Sequence, residues 1–190
     1  MTKIWLFVGI NTLLLGMFLA VYTTNSAIIG IVSSTNNNVE SAGFYDKVLI
    51  TVERNGNIIY RYETHNLITD AGKDFIRQQA FGTASSTAQY IALSTDPTTP
   101  TPSDTTLVGE IISQGLGRAQ GTATNGGTGQ ITISKTFTMT SGNQTSFTIN
   151  KAGLFDSSSG GTLVAVALIS NPPTLQAGDS ITINWQINIT

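Results

Sequence analysis

The chain predicts a mainly β fold: an antiparallel β-sandwich or jelly-roll-like domain with one short helix, preceded by a long hydrophobic N-terminal α-helix. Three observations carry that expectation. From about residue 40 onward the apolar residues recur with a period of two, the spacing of a half-buried strand. Turn signals such as Asn55-Gly56 separate these runs at regular intervals, as short antiparallel strands require. Ahead of them, Ile4 to Tyr22 runs 19 residues without a charge.

That N-terminal run, as a helix, spans about 28 Å, close to the roughly 30 Å of a bilayer's hydrocarbon core. Lys3 precedes it and the next charge is Glu40, so the positive-inside bias places the remainder of the chain outside the cytoplasm. Leu14, at its centre, is a candidate for contact with lipid or with other apolar helices. A cleaved secretory signal is the competing reading. A second apolar patch, Ala27 to Val32, extends the segment, and the polar run Ser33 to Asn38 ends it. The expected organisation is therefore a hydrophobic membrane-anchor or assembly helix over 1–32, a polar linker over 33–39 and a β-sandwich over 40–190.

Within the domain, KVLITVE and IIYRYE flank Asn55-Gly56 and read as a hairpin. A helix follows. Thr69 or Asp70 can cap it, Ala71, Phe75, Ile76 and Ala80 recur at helical spacing, and Gly82 stands where a C-terminal glycine belongs. Gln89 to Ser94 is a further strand. The three prolines in Asp96 to Asp104 exclude that stretch from a central ladder and make it an exposed loop. Leu107 to Ile112 and Gly115 to Ala123 lead to a turn at Asn125-Gly126-Gly127. Beyond it Ile131, Ile133, Phe137 and Met139 alternate with Thr132, Ser134, Thr136 and Thr138. SFTIN, a glycine-rich loop at 157–161 and TLVAVALIS continue the pattern. The terminal segment alternates Ile181, Ile183, Trp185, Ile187 and Ile189 with polar residues, which suits it to central pairing or to strand addition onto a neighbour.

Composition narrows the chemistry. Nine basic and eleven acidic residues leave a net charge of −2, and charged residues are only 11% of the chain, so no electrostatic footprint for nucleic acid exists. The absence of cysteine removes disulfides, thiolate metal sites and thiol catalysis. His65 has no Ser or Asp at a diagnostic spacing and reads as a strand-end residue. Asp96, Asp104, Glu110, Asp156 and Asp179 are loop carboxylates without the D-x-D-x-D-G spacing of a calcium loop. The glycines at 115, 117, 121, 126 and 127 belong to turns and bulges. Tyr60 and Tyr62 read as one half-buried strand face rather than a sugar platform. No catalytic, cofactor or metal residue is expected, and the protein is read as non-enzymatic.

Three positions call for a structural answer. Lys135 falls on the apolar face of its strand, which implies a snorkelling stem, an edge position, or a partly buried lysine paired with Asp or Asn, even covalently cross-linked. Asn143 and Asn188 both open N-x-[ST] sequons. Asn143 lies in a turn and is the better acceptor of a glycan; Asn188 lies inside an alternating strand.

The segments NLITDAGKDFIRQQAFG, YIALSTDPTTPTPSDTTLVGEI, KAGLFDSSSGGTLVAVALI and LQAGDSITINWQINIT together resemble a β-rich module of tail-associated and fibre-associated structural proteins of phages and archaeal viruses. The resemblance covers Asn66 to Thr190 and implies a scaffold without catalytic residues. The N-terminal apolar segment departs from that pattern. The preferred reading is a structural protein of a virion, membrane-anchored through residues 4–32, exposed on the surface, assembling as a homo-oligomer and contacting other virion or surface proteins. Alternatives are a pilin-like or thread-like filament subunit on the extracellular face of an archaeal cell, or a surface adhesin that binds a host-surface glycan.

Overall fold

The protein is represented by a computed structural model that describes residues 43–82 and 85–189. The segments 1–32 and 33–39, Leu14 with them, lie outside the described residues. Among the described residues no helix is long and apolar enough to cross a membrane.

Twelve strands and one helix are described. In chain order they are β1 (Phe44–Arg54), β2 (Asn57–Thr64), β3 (Asn66–Ile68), α1 (Asp70–Phe81), β4 (Tyr90–Ser94), β5 (Ala119–Gln120), β6 (Thr122–Gly127), β7 (Gln130–Thr138), β8 (Ser146–Thr148), β9 (Lys151–Phe155), β10 (Leu163–Leu168), β11 (Thr174–Gln176) and β12 (Ser180–Ile189). The first sheet runs β2-β1-β12-β7-β6, the second β3-β10-β9-β4-β5, and β8 pairs with β11 in a small third. Every pairing is antiparallel. One core cluster joins Val48, Ile50, Ile183 and Trp185 of the first sheet to Ile91, Leu93, Leu154 and Ala165 of the second. The sheets are thus the two layers of a sandwich. Three strand pairs, β1–β2, β6–β7 and β9–β10, are direct hairpins.

Asn55 and Gly56 make the β1–β2 connection with φ of 51° and 77°, the pair of positive values that a two-residue hairpin matching strand twist demands. The register slips by one between Val52 and Glu53, a bulge near the tip. The β6–β7 turn differs from the sequence expectation. Gly127 pairs with Gln130, so the turn is Thr128-Gly129, and Asn125-Gly126-Gly127 belongs to β6. Glycines in an exposed edge strand mimic a turn signal because such a strand has no face to bury.

Thr69 caps α1: its hydroxyl accepts from Gly72 N–H at 2.9 Å. The Asp70 N–H, another end the helix cannot satisfy itself, donates to Pro102 O at 2.7 Å and so ties the proline loop to the helix. Gly72 sits against β10 so closely that a Cβ would lie 2.0 Å from Val164 O. Gly82 ends the helix in extended backbone, φ −122°, rather than in the left-handed form that a C-terminal glycine commonly takes. Phe75 is buried under the helix, whereas Ala80 faces solvent.

The two sheets read differently because they are covered differently. β12 alternates buried Ile181, Ile183 and Trp185 with partly exposed Thr182, Asn184 and Gln186, since only its inner face is packed. Every residue of β9 is buried, as are five of the six in β10. Their outer face is covered as well, where Ala92, Phe155, Leu163 and Val166 pack with Leu107 from the long segment between β4 and β5. Burial on two faces erases alternation.

Candidate functional site

On the solvent face of the first sheet, β7 and β12 form a ladder of uncharged polar pairs, while β1 and β2 carry the ion pair Lys47–Glu63. Across β7 and β12, Thr136 and Thr182 share a hydrogen bond of 2.8 Å, Thr138 and Ser180 one of 3.0 Å, and Gln130 Nε2 donates to Asn188 Oδ1 at 2.7 Å. Cross-strand pairs of this kind stabilise the ladder without introducing charge. They also engage Asn188, whose Nδ2 donates onward to Tyr45 O. Asn143 stands in the exposed connection between β7 and β8, beside a clamp in which Gln114 exchanges hydrogen bonds with the Gln144 backbone.

β12 occupies the centre of the sheet, paired with β1 from Ser180 to Ile189 and with β7 from Ser180 to Asn188. Both of its ladders are used inside the domain. Of the apolar residues named for assembly, Ile181, Ile183 and Trp185 are wholly buried and Ile187 partly so, while Ile189 is half exposed. Central pairing, and not addition to a neighbour, is what this geometry gives the strand.

The loop carboxylates are dispersed, each to its own partner. Asp179, 1% exposed, takes a two-pronged bond from Arg54 at 2.8 and 2.7 Å and accepts from Gln176 N–H. The bond from Arg54 holds its carboxyl below the usual range, against the opposing effect of burial. Glu110 receives Arg118 in the same two-pronged way; that guanidinium lies 3.4 Å over the Phe155 ring and donates to Ser157 O and Gly160 O. Asp104 caps Thr101 through its hydroxyl and its N–H, which lowers its pKa. Asp156 accepts from Thr162 N–H and Ser86 Oγ. Among the described residues no three His, Asp or Glu side chains converge to hold a metal.

Among the described residues the fully buried lysine is Lys151, while Lys135 is partly buried. Lys135 is half-buried on β7, with Ile183 opposite and its ammonium 6.0 Å from the Phe137 ring, and it has no carboxylate partner among the ion pairs of the described residues. Lys151 is 3% exposed, and its Nζ contacts Asp96 Oδ2 at 2.5 Å and Thr98 Oγ1 at 3.2 Å. The bond from Lys151 holds Asp96 below the usual carboxylate range. Sequence reasoning missed it because KAGLF does not alternate.

His65 bridges β2 and β3, with Nδ1 2.5 Å from Asp46 O and 3.8 Å from Asp46 Oδ1. The neighbouring Thr64 hydroxyl donates to Leu168 O, so imidazole, hydroxyl and carboxylate form no relay. Burial raises the Asp46 pKa, only partly offset by the Asn66 N–H bond and by His65. Tyr60 and Tyr62, with centroids 6.2 Å apart, pack against the core; burial pushes the Tyr60 phenol to about 12, and its hydroxyl donates to Asn171 O. They are not an exposed stacking platform.

A pocket of about 100 Å³ opens where the end of the first sheet meets β3, β10 and α1, with Phe44, Phe75 and Trp185 among its walls. Its residues are far apart in the chain, and no local motif announces them.

An antiparallel β scaffold with a polar β7–β12 ladder and dispersed ion pairs is the class of protein that this geometry defines. A family model described as podophage GP4 fiber I protein gp80 matches residues 64–188, about two thirds of the chain, and the protein belongs to that family. The match begins at the last residue of β2, so the β1–β2 hairpin lies outside it although β1 completes the sheet beside β12. No curated protein and no solved structure matches the chain.

Proposed function

We propose that the protein is a non-enzymatic structural component of a virion, a fibre-type subunit exposed on the particle surface and assembled in several copies with other virion proteins. The observation that carries the reading is the fibre-family match from β2 to β12, which spans the whole second sheet of the sandwich. The dispersal of the charged side chains into structural pairs supports it, because catalysis needs titratable groups that converge. In this reading residues 4–32 attach the subunit through apolar contact, to lipid or to neighbouring helices. Particles purified on a density gradient, digested and examined by mass spectrometry, should contain the chain at stoichiometric level, and immunogold against the β domain should label a projecting structure. Absence from the particles, with label on cellular filaments instead, would overturn the proposal. The attachment is tested separately. Leu14→Arg should reduce flotation with liposomes, since a central arginine costs about 2.5–3.5 kcal/mol on insertion scales.

A further inference from the structure

The dipeptide Asn-Gly occurs twice in the chain, at Asn55-Gly56 and at Asn125-Gly126. It carries a latent reaction, because glycine puts no Cβ in the way of an approach between its own nitrogen and the preceding side chain. Both asparagines are exposed, so access to water does not separate them. The fold does.

Asn55 is held on both sides. It and Gly56 take φ values of 51° and 77°, and the Arg54–Asn57 pair closes the ladder directly on the turn. Arg54 is anchored to buried Asp179 by bonds of 2.8 and 2.7 Å, and Asn57 Nδ2 donates back to Asn55 O at 3.3 Å. Rotating the Asn55-Gly56 peptide would dismantle the hairpin. Asn125-Gly126 has no such frame. β6 is the outer strand of the first sheet, and all six of its residues are exposed. Asn125 pairs with Ile131 and Gly127 with Gln130, which leaves Gly126 as the bulge residue without a partner in the ladder. Its nitrogen can therefore turn toward the Asn125 side chain while the pairs on either side persist.

We propose that Asn125 is a site of succinimide formation and deamidation in the folded protein, and that the hairpin protects Asn55. The Gly126 backbone nitrogen, its proton lost to a solvent base, attacks Asn125 Cγ. The bond from Cγ to the side-chain nitrogen breaks, and ammonia leaves. Water then opens the ring at either carbonyl. Opening at Cγ gives aspartate; opening at the backbone carbonyl gives isoaspartate, in which the chain runs through Cβ. In sum, amide and water become carboxylic acid and ammonia. Either product places a carboxylate in a strand that carries no charge.

The test holds the full chain in detergent at mildly alkaline pH, samples it over time and digests it with pepsin in acid, which stops the reaction. Mass spectrometry with electron-transfer fragmentation reads both sites. Asn125 should convert to a mixture of aspartate and isoaspartate while Asn55 keeps its amide. In strong urea the two should convert at similar rates, since the frame around Asn55 is gone. Gly126→Ala should lose most of the conversion at 125; the nearest atoms its Cβ meets belong to the Gln130 side chain, which can swing aside. An intact Asn125 in the folded chain, conversion at Asn55 as fast or faster, a difference between the sites that survives urea, or full conversion in Gly126→Ala overturns the proposal.

Discussion

Asp46 shows how one buried carboxylate sets a pH dependence. Its side chain is 12% exposed, and burial raises its folded pKa above the usual 3.8. Folding therefore disfavours its ionised form. The penalty is absent below the unfolded pKa, grows as pH rises from 3.8 through the folded pKa, and is constant above it. Asp46→Asn keeps an oxygen for the Asn66 N–H and removes the charge, so its unfolding midpoint should exceed the native one at pH 7. The gap should close below about pH 4, and a constant gap across that range in thermal melts would refute the assignment. Asp179 has the opposite sign: its lowered pKa contributes stability above 3.8 that is lost as pH falls further. Asn143 gives a second prediction at this scale. It is exposed and free of cross-strand bonds, whereas Asn188 is tied to Gln130 and Tyr45. In a producing cell that glycosylates N-x-[ST] sites on exported proteins, tryptic mass spectrometry should find the glycan at Asn143 and an unmodified Asn188.

At the scale of elements, α1 is placed by a missing side chain as much as by its apolar face. The Val164 carbonyl lies where a Cβ on Gly72 would go, and it is backbone, which cannot rotate aside. Alanine in a helix interior is favoured over glycine by about 1 kcal/mol, so an isolated helix would gain from Gly72→Ala. Here the substitution pushes the helix off β10, and the domain should lose about 1–3 kcal/mol, as overpacked cores do. A denaturant melt checks the sign; a more stable variant would mean that the helix does not rest on Val164.

The molecule as a whole depends on its last strand. β12 lies between β1 and β7, and its Ile181, Ile183 and Trp185 are wholly buried. Deleting 181–190 would leave two long strands with empty ladders and open the core that both sheets share. The truncated chain should show no cooperative thermal transition by circular dichroism and should aggregate, whereas a native-like melt would show that the sandwich closes without β12. The first and last described strands are each other's neighbours, so this domain cannot complete its sheet until nearly all of it has been synthesised.

The sequence by itself determined the elements that have one wet face and one dry face. The Asn55-Gly56 hairpin, the capped helix after Ile68 and the alternation of β7 and β12 are all legible because local geometry repeats every two or 3.6 residues. Strands of two or three residues, β3, β5, β8 and β11, are too short to carry a period, so only their partners define them. The shift of the β6–β7 turn to Thr128-Gly129 follows from pairing with Ile131 and Gln130, which no local propensity records. Lys151 and the apolar pocket were decided by tertiary structure alone. A lysine in a strand buried on both faces looks like any lysine, and its partner Asp96 is 55 residues away. Phe44, Phe75 and Trp185 become one wall only after the ends of the chain have paired, because spatial proximity between distant residues is a property of the fold and not of any window of the sequence.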